Sequence, residues 1–322
     1  MGIWNSLLDR SVVFSFDRTG YRRHAKAFDA EHDRMRLTDR TFLVTGCNSG
    51  IGLAAVEQLA RRGAHVVLAC RSVERGHGAI AHVQNRVPDA HLELRQVDMA
   101  DLDSVSRLSE TIDGPLHGLI HNAGNMLDHC QHTDQQIEYI TSLHVAGPYC
   151  LSIGLQKQLE AGAQEHGARI LFVSSGGMYT QGLQTNELFT PSGRYDGMRH
   201  YAHTKRAQVV LAQQLHERFR AQSIAVHSMH PGWVDTAAVR RAMPKFALLT
   251  RRILRAPEEG ADTISWLAGY SGSDIDAESG FWFDRARAPF FPLSHVVVTQ
   301  EETQRMMTRL ERLAKATQAT PS

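Results

Sequence analysis

Lysine is scarce. Of 35 basic residues only five are lysines (Lys26, Lys157, Lys205, Lys245 and Lys315), and the others are arginine. A lysine at a telling position is therefore informative, whereas an arginine alone says little. An excess of either charge is also missing, with 35 basic against 34 acidic residues and a net charge of +1. That excludes a dedicated nucleic-acid binder, which needs a basic surplus to displace counterions from phosphates. Cysteine is sparse: Cys47, Cys70, Cys130 and Cys150 stand far apart without a Cys-x-x-Cys pair. This gives no zinc pattern and suits a reducing compartment, so a cytoplasmic protein without a metal is expected. The 18 histidines form no His-Glu-x-x-His motif. No apolar run approaches the ~20 residues that cross a bilayer. Low-complexity tracts are absent, and 42% hydrophobic residues over 322 positions suffice for a large folded core.

What is present is alternation. From Leu37 onward, short apolar runs take turns with segments of helical period. Thr41–Val44, His65–Ala69, Leu92–Val97, Gly118–Ile120, Arg169–Val173 and Ile224–Met229 read as six strands. Strands separated by helices make a parallel sheet covered on both faces, an α/β doubly wound three-layer sandwich of Rossmann type. Crossovers are then right-handed, and ligands collect at the carboxyl ends of the strands. No repeat and no Pro/Gly-rich linker divides residues 38–322, which are expected to form one domain. Residues 1–37 read as an arm in which Trp4, Leu7, Leu8, Val12, Val13, Phe14 and Phe16 are interrupted by Asp9, Arg10, Asp17 and Arg18. A helical arm packed on the body or on a neighbouring subunit is expected. The sharper alternative is a peripheral membrane contact through residues 1–20.

Thr45-Gly46-Cys47-Asn48-Ser49-Gly50-Ile51-Gly52 follows the first strand and opens a helix. Gly46 permits the tight turn, Gly50 clears space for a pyrophosphate, and Gly52 lets the helix pack close to the sheet. Free N–H groups of the first helical turn face the phosphates. The second strand ends in Ala69-Cys70-Arg71-Ser72, without the carboxylate that would bind an adenine ribose 2′-hydroxyl. Arg71 offers a fork for a 2′-phosphate instead, so NADP(H) is expected in preference to NAD(H). Asp98-Met99 ends the third strand, where an acid can bond the adenine amino group and a methionine can cover the ring. Asn122-Ala123-Gly124 ends the fourth, where small residues let the chain pass the adenosine ribose. Each of these alone reads equally as a turn.

Tyr201 and Lys205 stand four apart in a helical segment, which puts both on one face. With seven tyrosines and five lysines, such a pair arises by chance only about 0.1 times. A phenol titrating near ~10 is a poor proton shuttle at neutrality. A neighbouring ammonium and an oxidised nicotinamide both favour its phenolate. Ser174-Ser175 closes the fifth strand, where a hydroxyl can stabilise charge developing on a reacting oxygen. Serine there is also a common turn residue.

Taken together, Thr45–Gly52, Asp98, Asn122-Ala123-Gly124, Ser175, Tyr201-x-x-x-Lys205 and His230-Pro231-Gly232 resemble the short-chain dehydrogenase/reductase family over residues 38 to 285. The resemblance implies seven parallel strands and a Ser-Tyr-Lys catalytic set. By it, Ser175 orients the substrate oxygen and Tyr201 is the acid/base. Lys205 holds the nicotinamide ribose and lowers the tyrosine pKa. The implied cofactor contacts extend to Asn48, Ser49, Ile51, Pro231, Gly232, Val234 and Thr236, the last at the carboxamide. The function implied is NADP(H)-dependent interconversion of a carbonyl and an alcohol on a small molecule, in a homodimer or homotetramer. Phe172–Met178, Ser228–Trp233, Gly260–Thr263 and the Thr19-Gly20-Tyr21 arm are similar to the subgroup called dehydrogenase/reductase family member 12. The family usually has an asparagine that holds a proton-relay water; here that place falls on His144. Histidine can also hold a water and shuttle protons. The alternative is a cofactor-binding regulator or scaffold with little turnover. Residues 178–199 and Ala237–Arg255 are expected to wall the substrate. The second reads as a lid whose Val239, Met243, Phe246, Leu248, Leu249, Ile253 and Leu254 face inward over a lipophilic ligand.

Overall fold

The computed structural model describes residues 12–270, 272, 275–291 and 296–319. Its strands are β1 (Thr41–Thr45), β2 (His65–Cys70), β3 (His91–Gln96), β4 (Gly118–His121), β5 (Ala168–Val173), β6 (Ile224–His230), β7 (Phe281–Phe283) and β8 (Ala286–Ala288). The helices of the arm are α1 (Val12–Phe16), α2 (Arg18–His24) and α3 (Ala30–Arg34). In the body follow α4 (Gly50–Arg61), α5 (Val73–Gln84), α6 (Leu102–Glu110), α7 (Gly147–Gly154), α8 (Gln156–Glu165) and α9 (Thr185–Phe189). The chain continues through α10 (Gly197–Phe219), α11 (Ala237–Ala242), α12 (Pro244–Thr250), α13 (Pro257–Gly269) and α14 (Gln300–Ala319).

Among the described residues the strands form one sheet in the order β3-β2-β1-β4-β5-β6-β7-β8. The pairs from β3 through β7 are parallel and only β8 runs antiparallel. The order reverses direction between β1 and β4, which opens a crevice at the carboxyl ends of those strands. Six strands match the sequence reading to within about one residue at each end. The expected seventh parallel strand is present, and an antiparallel eighth strand is added to it. The eighth exists because Asp284 and Arg285 both take positive φ, 48° and 59°, in a two-residue hairpin turn. Side-chain bonds hold these strained residues in place, Asp284 to Arg255 and Arg285 to Asp262.

Alternation along each strand divides the core. Leu43, Val67, Leu119, Ile170, Phe172 and Val226 face α6, α7, α10 and α14. Phe42, Val44, Val66, Leu68, Ile120, Leu171, Val173 and Met229 face α4 and α13. Both faces being buried explains why these strands read as continuous apolar runs.

The arm is docked from Ser15 onward. Asp17 is buried and caps α2 through the Gly20 N–H, at 2.9 Å. The Phe16 carbonyl accepts from the Trp233 N–H at 2.8 Å, and the Arg18 N–H donates to the Ile253 carbonyl at 2.8 Å. Trp4, Leu7 and Leu8, on which part of the membrane alternative rests, lie outside the described residues. No described helix is long and apolar enough to cross a membrane.

Candidate active site

The glycine turn is built by close approach. Gly46 has φ +64°, and a Cβ there would lie 2.6 Å from the Ala123 Cα. Gly52 is buried where a Cβ would collide with the Asn122 amide. The Asn122 side chain donates to the Thr45 and Gly46 carbonyls, both at 3.0 Å, and so staples the turn to the end of β4. Thr45 Oγ1 accepts from the Asn122 and Ala123 N–H groups. Ser49 precedes α4 in extended conformation, and its side chain makes no cap hydrogen bond. The first-turn N–H groups of α4 are left for an anion. Asn48 is half-buried and Ile51 sits against the same wall as Val234, which is buried. These residues fit a dinucleotide: a cradle without side chains, an open helix N-terminus, and backbone held at close range.

Opposite this turn, the chain after β6 closes the crevice. A Cβ on Gly50 would lie 3.3 Å from Thr236 Cγ2, so the glycine turn and the Pro231–Thr236 loop face each other. Thr236 caps α11, accepting from the Val239 N–H at 3.2 Å. Gly232 has φ +79° and lies against the Arg255 guanidinium. At the far end Arg71 is exposed and donates to the Tyr139 hydroxyl at 3.0 Å and to Asp98 at 3.5 Å. Asp98 also accepts from the Ala100 N–H at 3.0 Å. Met99 is 3% exposed and packs in the core.

The catalytic candidates meet at the carboxyl end of β5. Ser175 ends the extended chain and accepts from the Gly177 N–H at 3.2 Å, with its hydroxyl near enough to the Tyr201 phenol to favour its ionised form. Lys205, one turn along α10, lies 5.5 Å from the tyrosine ring centroid. Its ammonium donates to the Val173 carbonyl at 2.8 Å and to the Gln208 side-chain oxygen at 3.0 Å. Burial pushes Lys205 down to about 7. Burial also pushes the Tyr201 phenol above its ordinary value, and the neighbouring Ser175 side chain pulls it part of the way back. The expected lowering of the tyrosine by the lysine is therefore absent from the chain alone.

His144 lies in a π turn, Ser142–Ala146, just before α7. Its Nε2 accepts from the Asn125 N–H at 3.2 Å, and its Nδ1 faces the Thr204 hydroxyl at 2.8 Å. The Thr204 hydroxyl donates to the Tyr201 carbonyl, so the Nδ1 proton is the one that completes the set. Burial first, then Lys205 and His200, hold this imidazole well below its usual range. With both ring nitrogens bonded to protein, the ring clamps the Asn122–Asn125 turn to α10. A water-holding role is not what this geometry provides.

Three residues have roles that the sequence reading did not assign. Gln208, at 3.0 Å from the lysine, donates from its other end to the His144 carbonyl at 3.0 Å. Its signal was present, because it stands three residues after Lys205 on the same helical face. His230 accepts the Gly176 N–H at 3.0 Å, fixing the residue after Ser175. Its ring lies between Phe16 of the arm at 4.4 Å and Phe283 at 5.1 Å, and burial pushes it down to about 3. Arg255 is fully buried and reaches the carbonyls of Ser15, Phe16 and Asp17 as well as Asp284. Of the lid residues, Ala247 and Leu254 are buried and Phe246 packs on Trp233. Leu248 and Leu249 point outward, against the expected inner face, because α12 spans only Pro244–Thr250 and its inward side is already taken.

Among the described residues no group of three His, Cys, Asp or Glu is placed to hold a metal ion. The short chain dehydrogenase model matches residues 40–245. Dehydrogenase/reductase SDR family member 12 of Homo sapiens is 35% identical over 319 residues, which cover 96% of this chain and 98% of the human protein. Human retinol dehydrogenase 11 is 29% identical over 75% of this chain and 76% of its own. L-Sorbose reductase from Gluconobacter frateurii, solved with NADPH and L-sorbose, superposes with a TM-score of 0.61 at 22% identity. That superposition covers 77% of this chain and 97% of the reductase, and shows a shared fold. A parallel sheet with its glycine turn at the switch point, a matching family model and a relative alike from end to end all agree: the chain belongs to the short-chain dehydrogenase family.

Proposed function

We propose that the protein is an NADP(H)-dependent oxidoreductase that interconverts a carbonyl and an alcohol on a lipophilic small molecule. The observation that carries this reading is Lys205 lying 5.5 Å from the Tyr201 ring centroid and against the Gly124 backbone, with Ser175 beside the phenol at the carboxyl end of β5. A nicotinamide dinucleotide would supply or accept the hydride. Gly46, Gly50, Gly52 and the open first turn of α4 would cradle its pyrophosphate. Arg71 would meet the 2′-phosphate, with Asp98 beside it, and Thr236 would meet the carboxamide. In the reductive direction Tyr201 gives its proton to the carbonyl oxygen, while Ser175 donates a hydrogen bond to the same oxygen as charge builds on it. The Lys205 ammonium lies close enough to stabilise the phenolate left behind.

NADPH consumption measured against a chemically diverse carbonyl library tests this, with Tyr201→Phe as control. Turnover of at least one carbonyl is expected. Its fall by about 10²–10⁴ in the variant, with NADPH binding preserved, identifies the phenol as acid/base. A variant as active as the parent removes that role.

A further inference from the structure

Between Ala237 and Arg252 the chain carries five basic residues, Arg240, Arg241, Lys245, Arg251 and Arg252, and no acidic one. All five are exposed. In a chain whose charges almost cancel, this is a local excess. Arg240 pairs with Asp235 at 2.5 Å, and among the described residues the other four make no ion pair. At the tip of the same segment Leu248 and Leu249 are 69% and 85% exposed. The core does not need them, since Phe246, Ala247 and Leu254 already fill the inward side. Phe14 is half-exposed on the arm, whose Arg18 N–H is tied to Ile253 at the base of this segment.

We propose that the tip of the α11–α12 segment docks on an anionic lipid surface, with Leu248 and Leu249 entering the interface and Arg241, Lys245, Arg251 and Arg252 meeting phosphates. Two adjacent exposed leucines flanked in sequence by exposed cations match that surface in both polarity and charge. A second copy of the chain in a two-fold contact would bring the same cations face to face. A nucleic acid would engage the arginines and leave the leucines in water. The segment begins at Thr236, on the rim of the cofactor crevice, so docking would turn the substrate entrance toward the bilayer. That consequence rests on the oxidoreductase reading, whereas the docking itself does not.

Co-sedimentation of the full chain with phosphatidylcholine vesicles, with and without about one phosphatidylserine in three, tests the docking without requiring turnover. Binding to the anionic vesicles only is expected, weakening as salt is raised. Each basic residue near such a surface is worth about five-fold in partitioning, so Arg251→Glu/Arg252→Glu should lower it at least about 25-fold. Leu248→Asp/Leu249→Asp should abolish it while NADPH binding persists. Leu248→Trp keeps the tip apolar, and its emission should shift to the blue on binding. No partition into anionic vesicles, equal partition into neutral ones, or partition unchanged by both double variants overturns the proposal. So does a leucine variant that changes the mass of the protein in solution instead.

Discussion

The Lys205 ammonium and the His144 carbonyl are joined through one side chain: Gln208 accepts from the first at 3.0 Å and donates to the second at 3.0 Å. An amide therefore bridges the buried lysine to the π turn. Groups facing Lys205 are Tyr201 on its own helix, His144 on the π turn, the Val173 carbonyl of β5 and the Gly124 backbone. No carboxylate contributes to its shift.

The lysine makes stability depend on pH with a definite sign. Its folded value, about 7, lies below the ordinary ~10.5, so between these limits the unfolded chain holds the extra proton. Stability then rises with pH across that window, by up to ~1.4 kcal/mol per pH unit from this group. Chemical denaturation of the protein and of Lys205→Met at a series of pH values should show the difference between them growing from neutrality toward pH ~10. Gln208→Glu, which adds a carboxylate, should raise the lysine's value and narrow the window from below. Parallel curves for the protein and Lys205→Met would show that the ammonium is not desolvated.

His144 is predicted to act through position rather than through its proton. Removing the ring in His144→Ala leaves the Asn125 N–H without its partner and takes from the Thr204 hydroxyl the proton it accepts, while that hydroxyl keeps its bond to the Tyr201 carbonyl, at a cost of about 1–3 kcal/mol. The Asn122–Asn125 turn should loosen with it, raising KM for NADPH more than it lowers kcat. Because the imidazole is held well below its usual range, the parent's rate profile should carry no inflection from it between pH 5 and 8. An inflection there that vanishes in His144→Asn would restore the relay role.

Arg71 is the residue on which cofactor preference should turn. Tyr139 and Asp98 hold its guanidinium at the end of β2, and its remaining donors stay open to solvent. A charge-assisted bond to a 2′-phosphate is worth about 1.5–3 kcal/mol, so Arg71→Asp should weaken NADPH roughly 10–100-fold and favour NADH. Dissociation constants for both nucleotides check this. An unchanged ratio would assign the phosphate to another side chain.

Most of the fold was legible because the sheet is buried on both faces, which turns its strands into uninterrupted apolar runs such as Ile170–Val173. The catalytic set was legible because Tyr201 and Lys205 are one helical turn apart and lysine is rare. What stayed hidden depends on contacts between residues far apart in sequence. β7 and β8 are three residues each, and their turn is fixed by Arg255 and Asp262 rather than by glycine. The outward turn of Leu248 and Leu249 follows from what fills the space beneath them. His144 reads as a proton carrier in isolation, and only its two partners, at positions 125 and 204, show it as a clamp.

The arm is expected to depend on one buried ion pair. Arg255 meets both oxygens of Asp284, at 2.5 and 2.8 Å, while its other donors reach the carbonyls of residues 15–17. Burial by itself would push the Asp284 carboxyl up, but hydrogen bonds from His24 and Arg255 hold it below the usual carboxylate range. A depressed carboxylate stabilises the fold above its unfolded pKa, and that contribution is lost as pH falls through the folded value. Arg255→Met removes the cation, leaves the buried carboxylate with only the His24 ring, and frees the three carbonyls, so a loss of about 3–5 kcal/mol is expected. The arm should then become the first site of proteolysis, and the loss should shrink under acid, where Asp284 is neutral. Adding Asp284→Asn removes the under-compensated buried charge, so the double variant should be more stable than Arg255→Met alone. Denaturation midpoints of the three variants, with limited proteolysis, provide the check. A double variant no better than Arg255→Met would mean that the carbonyls of the arm, and not the ion pair, are what Arg255 secures.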